Sequence, residues 1–99
     1  MQVSGFDWDE GNWPKCGKHG VSREEIEAIF HFDPHVFPDP AHSIDETRLL
    51  AIGRAGDAGR YIFAAFTLRV REGETLIRPI SARYMHAKEI EHYERQAKD

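Results

Sequence analysis

The chain has a single cysteine, Cys16, so it can build neither an internal disulfide nor a thiolate metal cluster. No apolar run approaches the length of a bilayer span, and Met1-Gln2-Val3-Ser4 does not open a signal peptide. The expectation is a cytoplasmic protein with no membrane partner. Internal repeats and low-complexity tracts are also missing, which excludes solenoids and arrays. Basic charge is scarce. Thirteen Lys and Arg stand against 17 Asp and Glu, a net charge of −4, whereas a free-standing nucleic-acid binder usually carries a basic footprint.

What is present suits a small globular protein. At 99 residues, 40% hydrophobic and 30% charged, the chain is too apolar to be wholly disordered. It is long enough for one domain, residues 1–99, around a single modest core. The charge is unevenly placed. Residues 1–50 hold Lys15, Lys18, Arg23 and Arg48 against ten acids, a balance of −6. Residues 51–99 hold nine bases against seven acids, a balance of +2. Arg54, Arg60, Arg69, Arg71, Arg78 and Arg83 all fall in the segment that reads as strands. Alternation along a strand places several of them on one face, suited to phosphate. From composition alone, solvated sheet edges are the preferred reading.

Phe6 and Trp8 alternate with Asp7 and Asp9, the pattern of a short strand over residues 5–9. Asn12 as cap, Pro14 in the first turn and Gly20 as terminator predict a short helix over residues 13–19, weakened by Gly17. Ser22 and Glu25 form a capping box, with Val21 and Ile26 as its hydrophobic staple, and Ile26, Ile29 and Phe30 share one helix face. Asp33-Pro34 stops that helix. Residues 34–45, with three prolines, read as a long loop. Three strands follow, over residues 48–54, 60–70 and 75–83, and short turns make them an antiparallel meander. Pro79 cannot donate to a ladder, so an edge position or a bulge is expected there. Ile90, Tyr93 and Ala97 recur at helical spacing in a last helix over residues 86–97 that should pack on the sheet. The fold class is α+β: a small antiparallel β-sheet with two short N-terminal helices and a C-terminal helix.

Several residues are chemically equipped. Lys18-His19 sets an ammonium beside an imidazole ahead of Gly20, suited to a phosphate contact or to closing the last turn of a helix. His42-Ser43 lies in the long loop, with Glu46 and Arg48 close behind. A carboxylate and a guanidinium two apart on an extended chain share a face, giving an active-site pair or a surface ion pair. Ser43 and Glu46 also read as a turn cap. Arg83 ends the last strand and can grip phosphate bidentately, or pair with a carboxylate such as Glu89 or Glu46. Arg54 carries the same ambiguity at another strand end. His31, His35 and His42 are separated by prolines and lack a cysteine partner, so no metal site or cofactor is expected. Trp8, Trp13, Phe6 and Phe63 could stack on bases, but most read as core. Cys16, despite Lys15 and Lys18, reads as a buried small residue.

Phe6-Asp7-Trp8-Asp9, Lys18-His19-Gly20-Val21-Ser22, Asp39-Pro40-Ala41-His42-Ser43 with Glu46 and Arg48, and Ile80-Ser81-Ala82-Arg83 with Glu89 and Tyr93 recur in one order. In that register the chain resembles the BrnT family of bacterial toxins, small RelE-like ribonucleases held inactive by a DNA-binding antitoxin. The resemblance implies a RelE-like α+β endoribonuclease that arrests translation by metal-independent acid/base chemistry. It implies a BrnA-like antitoxin and RNA as partners, with DNA reached only through the antitoxin. It also implies Lys18, His19, Glu46 and Arg83 as catalytic residues and His42, Arg48 and Arg54 as substrate contacts. Arg83 and Lys18 would stabilise phosphate, and Glu46 or His19 would transfer protons. Two residues depart from the family pattern: Pro79 within its strand, and His86 where many members place a Ser or Thr cap. The competing reading is a non-catalytic interaction module whose acidic surface binds a basic DNA-binding partner.

Overall fold

The computed structural model describes residues 3–43 and 46–97. Five strands and two α-helices follow one another as β1 (Gly5–Phe6), α1 (Arg23–His31), β2 (His35–Pro38), β3 (Leu49–Gly53), β4 (Ile62–Arg71), β5 (Glu74–Tyr84) and α2 (Ala87–Ala97). Single 3₁₀ turns stand at Lys15–Gly17 and Pro40–His42. All strands join one sheet in the order β1-β5-β4-β3-β2, antiparallel except for β1, which runs parallel to β5. The α+β class holds.

The meander β3-β4-β5 forms where the residue pattern placed it. Its sharpest corner is the two-residue turn Glu72-Gly73, whose φ values of 53° and 80° make it a left-handed hairpin turn suited to the twist of the flanking strands. Pro79 resolves to the bulge. Pairing jumps from Ala65↔Ser81 to Phe66↔Pro79, which leaves Ile80 as the extra residue in a strand that is central, not at the edge.

Helix α1 begins on both halves of its capping box. The Ser22 hydroxyl accepts the Glu25 N–H (3.1 Å) and the Glu25 carboxylate reaches back to the Ser22 N–H (3.5 Å). It buries Ile26 and Ile29 against the sheet face that carries Ala51, Ile62, Ala64, Phe66 and Ile77. Phe30 stacks edge-on to Phe66 at 5.0 Å. Gly53 lets this contact close, since a Cβ there would stand 3.2 Å from the Ile29 side chain.

Four expectations need correction. The helix expected over residues 13–19 is one 3₁₀ turn, so the molecule has two α-helices, not three. Gly17 explains why: the Trp13 ring fills the space where a Cβ would be, 2.6 Å from its nearest atom. Asn12 does not cap that turn. Buried, it accepts the Asp9 N–H (2.8 Å) and donates to the carbonyls of Asp7 and Pro79 (both 2.9 Å), fastening the N-terminal loop to β5. The long loop contains an edge strand, β2, which pairs with β3 from His35↔Ile52 to Pro38↔Leu49. Its last residue is proline, tolerable because the strand has a neighbour on one side only. Finally, α2 buries no residue. Tyr93 touches the sheet through Tyr61 (5.8 Å) and His35 (5.9 Å), while Ala97 is exposed.

A candidate RNA-binding face opposite the first helix

Strand register decides which side chains share a face, because directly paired residues point the same way and neighbours alternate. Phe66 faces α1, so Phe63, Ala65, Thr67, Arg69 and Arg71 of β4 face away from it. Their partners on β5 are Arg83, Ser81, Arg78, Leu76 and Glu74. Four of the six arginines of the strand-forming segment, Arg69, Arg71, Arg78 and Arg83, thus lie on one sheet face. Arg54 and Arg60 flank the turn between β3 and β4 instead. This is the arrangement that alternation allowed, and the solvated-edge reading yields to it.

Each of the four arginines is paired with a carboxylate. Arg83 grips Glu89 with two parallel hydrogen bonds of 2.8 Å and lies 5.0 Å above the Phe63 ring. Arg78 meets Asp7 (3.3 Å) and Asp9 (3.0 Å); Arg71 also reaches Asp7 (3.2 Å). Arg69 stands 3.2 Å from Glu46. Three of the four are thus neutralised by acids of the N-terminal half and Arg83 by Glu89, which reconciles a basic face with a net charge of −4.

At one end of this face, Glu89 also accepts the His86 N–H (2.9 Å), half a capping box that starts α2 without a Ser or Thr cap. The Arg83 guanidinium and this N–H together pull the Glu89 pKa from 4.5 down to about 2. The same ion pair raises the Arg83 pKa, keeping the guanidinium charged throughout the working range. Arg54 sits at the same end of the sheet, over the Tyr61 ring (4.8 Å), with Nη1 donating to the Asp57 carbonyl (3.1 Å).

At the other end, the turn after β2 is tightly stitched. The Ser43 hydroxyl donates to the Asp39 carbonyl (2.7 Å) and accepts the Arg48 N–H (2.9 Å). The Asp39 carboxylate lies between His42 Nδ1 (3.0 Å), a contact that needs the proton on Nδ1, and Arg48 Nε (3.4 Å). Ser43 thus closes the turn from its own side, without Glu46, whose carboxylate turns to Arg69.

The sequence-derived residues fall into two groups. Arg83 pairs through Phe63, six residues along β4 from Arg69, which puts Arg83 and the Glu46–Arg69 pair about 20 Å apart. Glu46, His42 and Arg48 share one end and Arg83 and Arg54 the other, so Glu46 and Arg83 do not meet on one phosphate. Lys18 and His19 are exposed in the turn that ends at Gly20, whose φ of 88° demands glycine. The 3₁₀ turn just before them rests on β5, the strand of Arg83. Neither makes an ion pair among the described residues.

Residues 8–89 match the family described as "Ribonuclease toxin, BrnT, of type II toxin-antitoxin system". The chain belongs to the BrnT family. A search of curated proteins finds no match. BrnT membership makes the chain a ribonuclease toxin that works opposite a cognate antitoxin. The match includes all seven of the sequence-derived site residues. No helix of the described residues is long and apolar enough to cross a membrane. Among the described residues no group of three or more His, Cys, Asp or Glu side chains is placed to hold a metal ion. Sequence reading listed Arg69, Arg71 and Arg78 among the strand arginines but missed Asp7 and Asp9 as the partners of Arg71 and Arg78, because those acids and arginines are 64 to 71 residues apart. The one available signal was the alternation of Phe6 and Trp8 with Asp7 and Asp9, which set both acids on the side opposite the two rings in the strand expected over residues 5–9, of which only Gly5–Phe6 forms.

Proposed function

We propose that this toxin is a metal-independent endoribonuclease of the RelE-like, mRNA-interferase kind, cutting RNA at the Arg83 end of its open sheet face and so arresting translation. The observation that carries this is the four arginines on one face of a ribonuclease-family sheet. Cleavage by the neighbouring 2′-hydroxyl breaks the P–O5′ bond and leaves a cyclic phosphate. It needs a base for the hydroxyl proton, an acid for the leaving oxygen and cations for the charge on phosphorus. Arg83 suits the last task. Glu89 uses one N–H on each terminal nitrogen, leaving three of its five donors for phosphate, and Phe63 fixes the plane. Lys18 adds charge, and His19 supplies proton transfer from the turn beside β5. Glu46, His42 and Arg48, at the far end, contact the RNA strand away from the scissile bond, and Arg54 contacts it near Arg83. The partner is a BrnA-like, DNA-binding antitoxin, through which the complex reaches DNA.

A non-catalytic interaction module is favoured by one observation, the carboxylate on every sheet arginine. Induced expression separates the two readings: a toxin slows growth and cuts RNA, and an interaction module does neither. Cleavage by the purified chain in excess EDTA tests the chemistry. Undiminished activity is expected, whereas complete loss restored by a divalent ion contradicts the metal-free mechanism.

A further inference from the structure

Among the described residues, three buried side-chain atoms have no hydrogen-bond partner: Arg48 Nε, Thr67 Oγ1 and Arg69 Nε. Buried polar atoms without partners are uncommon in folded proteins and call for a reason. These three are neighbours. Thr67 and Arg69 are two apart on β4 and so share the open face. Arg48 directly precedes β3, whose register with β4 continues to place it opposite Thr67. Arg78 completes the row as the partner of Thr67 on β5. All three atoms can donate a hydrogen bond, and the register sets their residues side by side. The nearby carboxylates do not satisfy them. Asp39 and Glu46 stand 3.4 and 3.2 Å from the two Nε atoms without an aligned bond to either, although Arg69 Nη2 does donate to Glu46 at 3.3 Å.

We propose that the Thr67 end of the open face is a subsite for a phosphodiester of the RNA strand, held by Arg48, Arg69 and Arg78 around the Thr67 hydroxyl. A tetrahedral phosphate offers acceptor lone pairs in several directions at once, which suits a hydroxyl beside guanidinium groups from β4, β5 and the entry to β3 better than a flat carboxylate does. Glu46 is 43% exposed, so its carboxylate can give way to solvent as the phosphate takes its place on Arg69. Thr67 is only 2% exposed, so its hydroxyl is costly in the free protein. A valine of the same shape would remove that cost, which makes the threonine a sacrifice of stability for binding. Thr67 is four residues along β4 from the partner of Arg83, about 13 Å, so the subsite holds the strand rather than the reacting phosphate. The identity of the anion rests on the ribonuclease reading; the donor cluster does not.

The test is equilibrium binding of a non-cleavable 2′-O-methyl RNA oligonucleotide to the full chain, with melting temperature recorded for each variant. Thr67→Val should weaken binding by several-fold to about tenfold while its melting temperature holds or rises. Arg69→Gln should weaken it similarly and lower the slope of log K against log salt by about 0.7, one single-strand phosphate contact. With cleavable RNA both losses should fall on KM, as expected for a contact made equally in ground and transition states. If Thr67→Val gains stability and binds RNA like the wild type, the subsite is refuted and the hydroxyl is only a buried defect. If both variants bind RNA normally but lose the antitoxin, the face end is a protein interface and the proposal falls. A wild-type chain that binds the oligonucleotide through these residues yet never cuts RNA keeps the subsite and removes the proposed activity.

Discussion

The two ends of the open face hold arginine differently. At the Arg83 end, both terminal nitrogens meet Glu89 in aligned bonds of 2.8 Å, an aromatic ring lies beneath, and α2 begins on the same carboxylate. At the Thr67 end, the carboxylates are close to Arg48 and Arg69 but do not accept from their Nε atoms, and a hydroxyl is buried between them. The first arrangement is rigid and pre-aimed, as a group must be if it stabilises charge that develops in a transition state. The second has unused donors, as a site does when it waits for a ligand. Counting charges along the chain cannot tell these apart, because both ends consist of arginines beside acids.

The largest effect should come from breaking the rigid end. Arg83→Ala should slow RNA cleavage by about a hundredfold or more and abolish growth arrest, while circular dichroism and antitoxin binding stay near wild type. Arg83→Lys should recover little, since a point charge does not reproduce the planar fork. A folded, fully toxic Arg83→Ala chain would move the active site elsewhere.

Glu89→Gln should have a smaller effect, about tenfold in cleavage, because it leaves Arg83 in place but loosens its aim. It also has a pH signature. Glu89 ionises more readily folded than unfolded, so its pair stabilises the fold above the unfolded value near 4.5 and loses that contribution as pH falls through about 2. The melting-temperature gap between wild type and Glu89→Gln should be widest at neutral pH and close between pH 4.5 and 2. A gap that stays constant over that window would mean that the ion pair does not stabilise the fold. Both side chains are about one-third exposed, so the gap should be modest.

The smallest effect should follow Gly17→Ala. The new methyl meets the Trp13 ring at 2.6 Å and costs about 1–3 kcal/mol if the ring cannot move. Thermal denaturation measures this directly. Because Lys18 and His19 follow Gly17 immediately, cleavage should fall with it, and a stable variant with unaltered activity would show that this turn has no part in positioning them.

How much of this was legible follows the range of the interactions. The capping box of α1 joins residues three apart and could be read directly, as could the meander, whose strands and turns are contiguous. Arg83 and Glu89 are six apart, and Glu89 stood among the expected partners of Arg83. Strand β2 escaped because four residues ending in proline make a ladder only when β3 is beside them. The helix expected at residues 13–19 gave way to packing, since the Trp13 ring occupies the flank of Gly17. The split of the candidate site is a property of sheet register, which the bulge at Ile80 shifts by one residue partway along β5. The family resemblance put Glu46 and Arg83 in one list of candidates, and strand geometry separated them.

The central claim is that one face both holds and cuts RNA, at separate ends. The direct test measures single-turnover cleavage at saturating RNA and equilibrium RNA binding side by side for Arg83→Ala and Arg69→Gln. The expected result is a crossed pattern: Arg83→Ala loses rate by about a hundredfold with affinity nearly retained, and Arg69→Gln loses affinity by several-fold with the saturated rate retained. Equal losses of rate and affinity in both variants would contradict it, and would mean that the two ends act as one site.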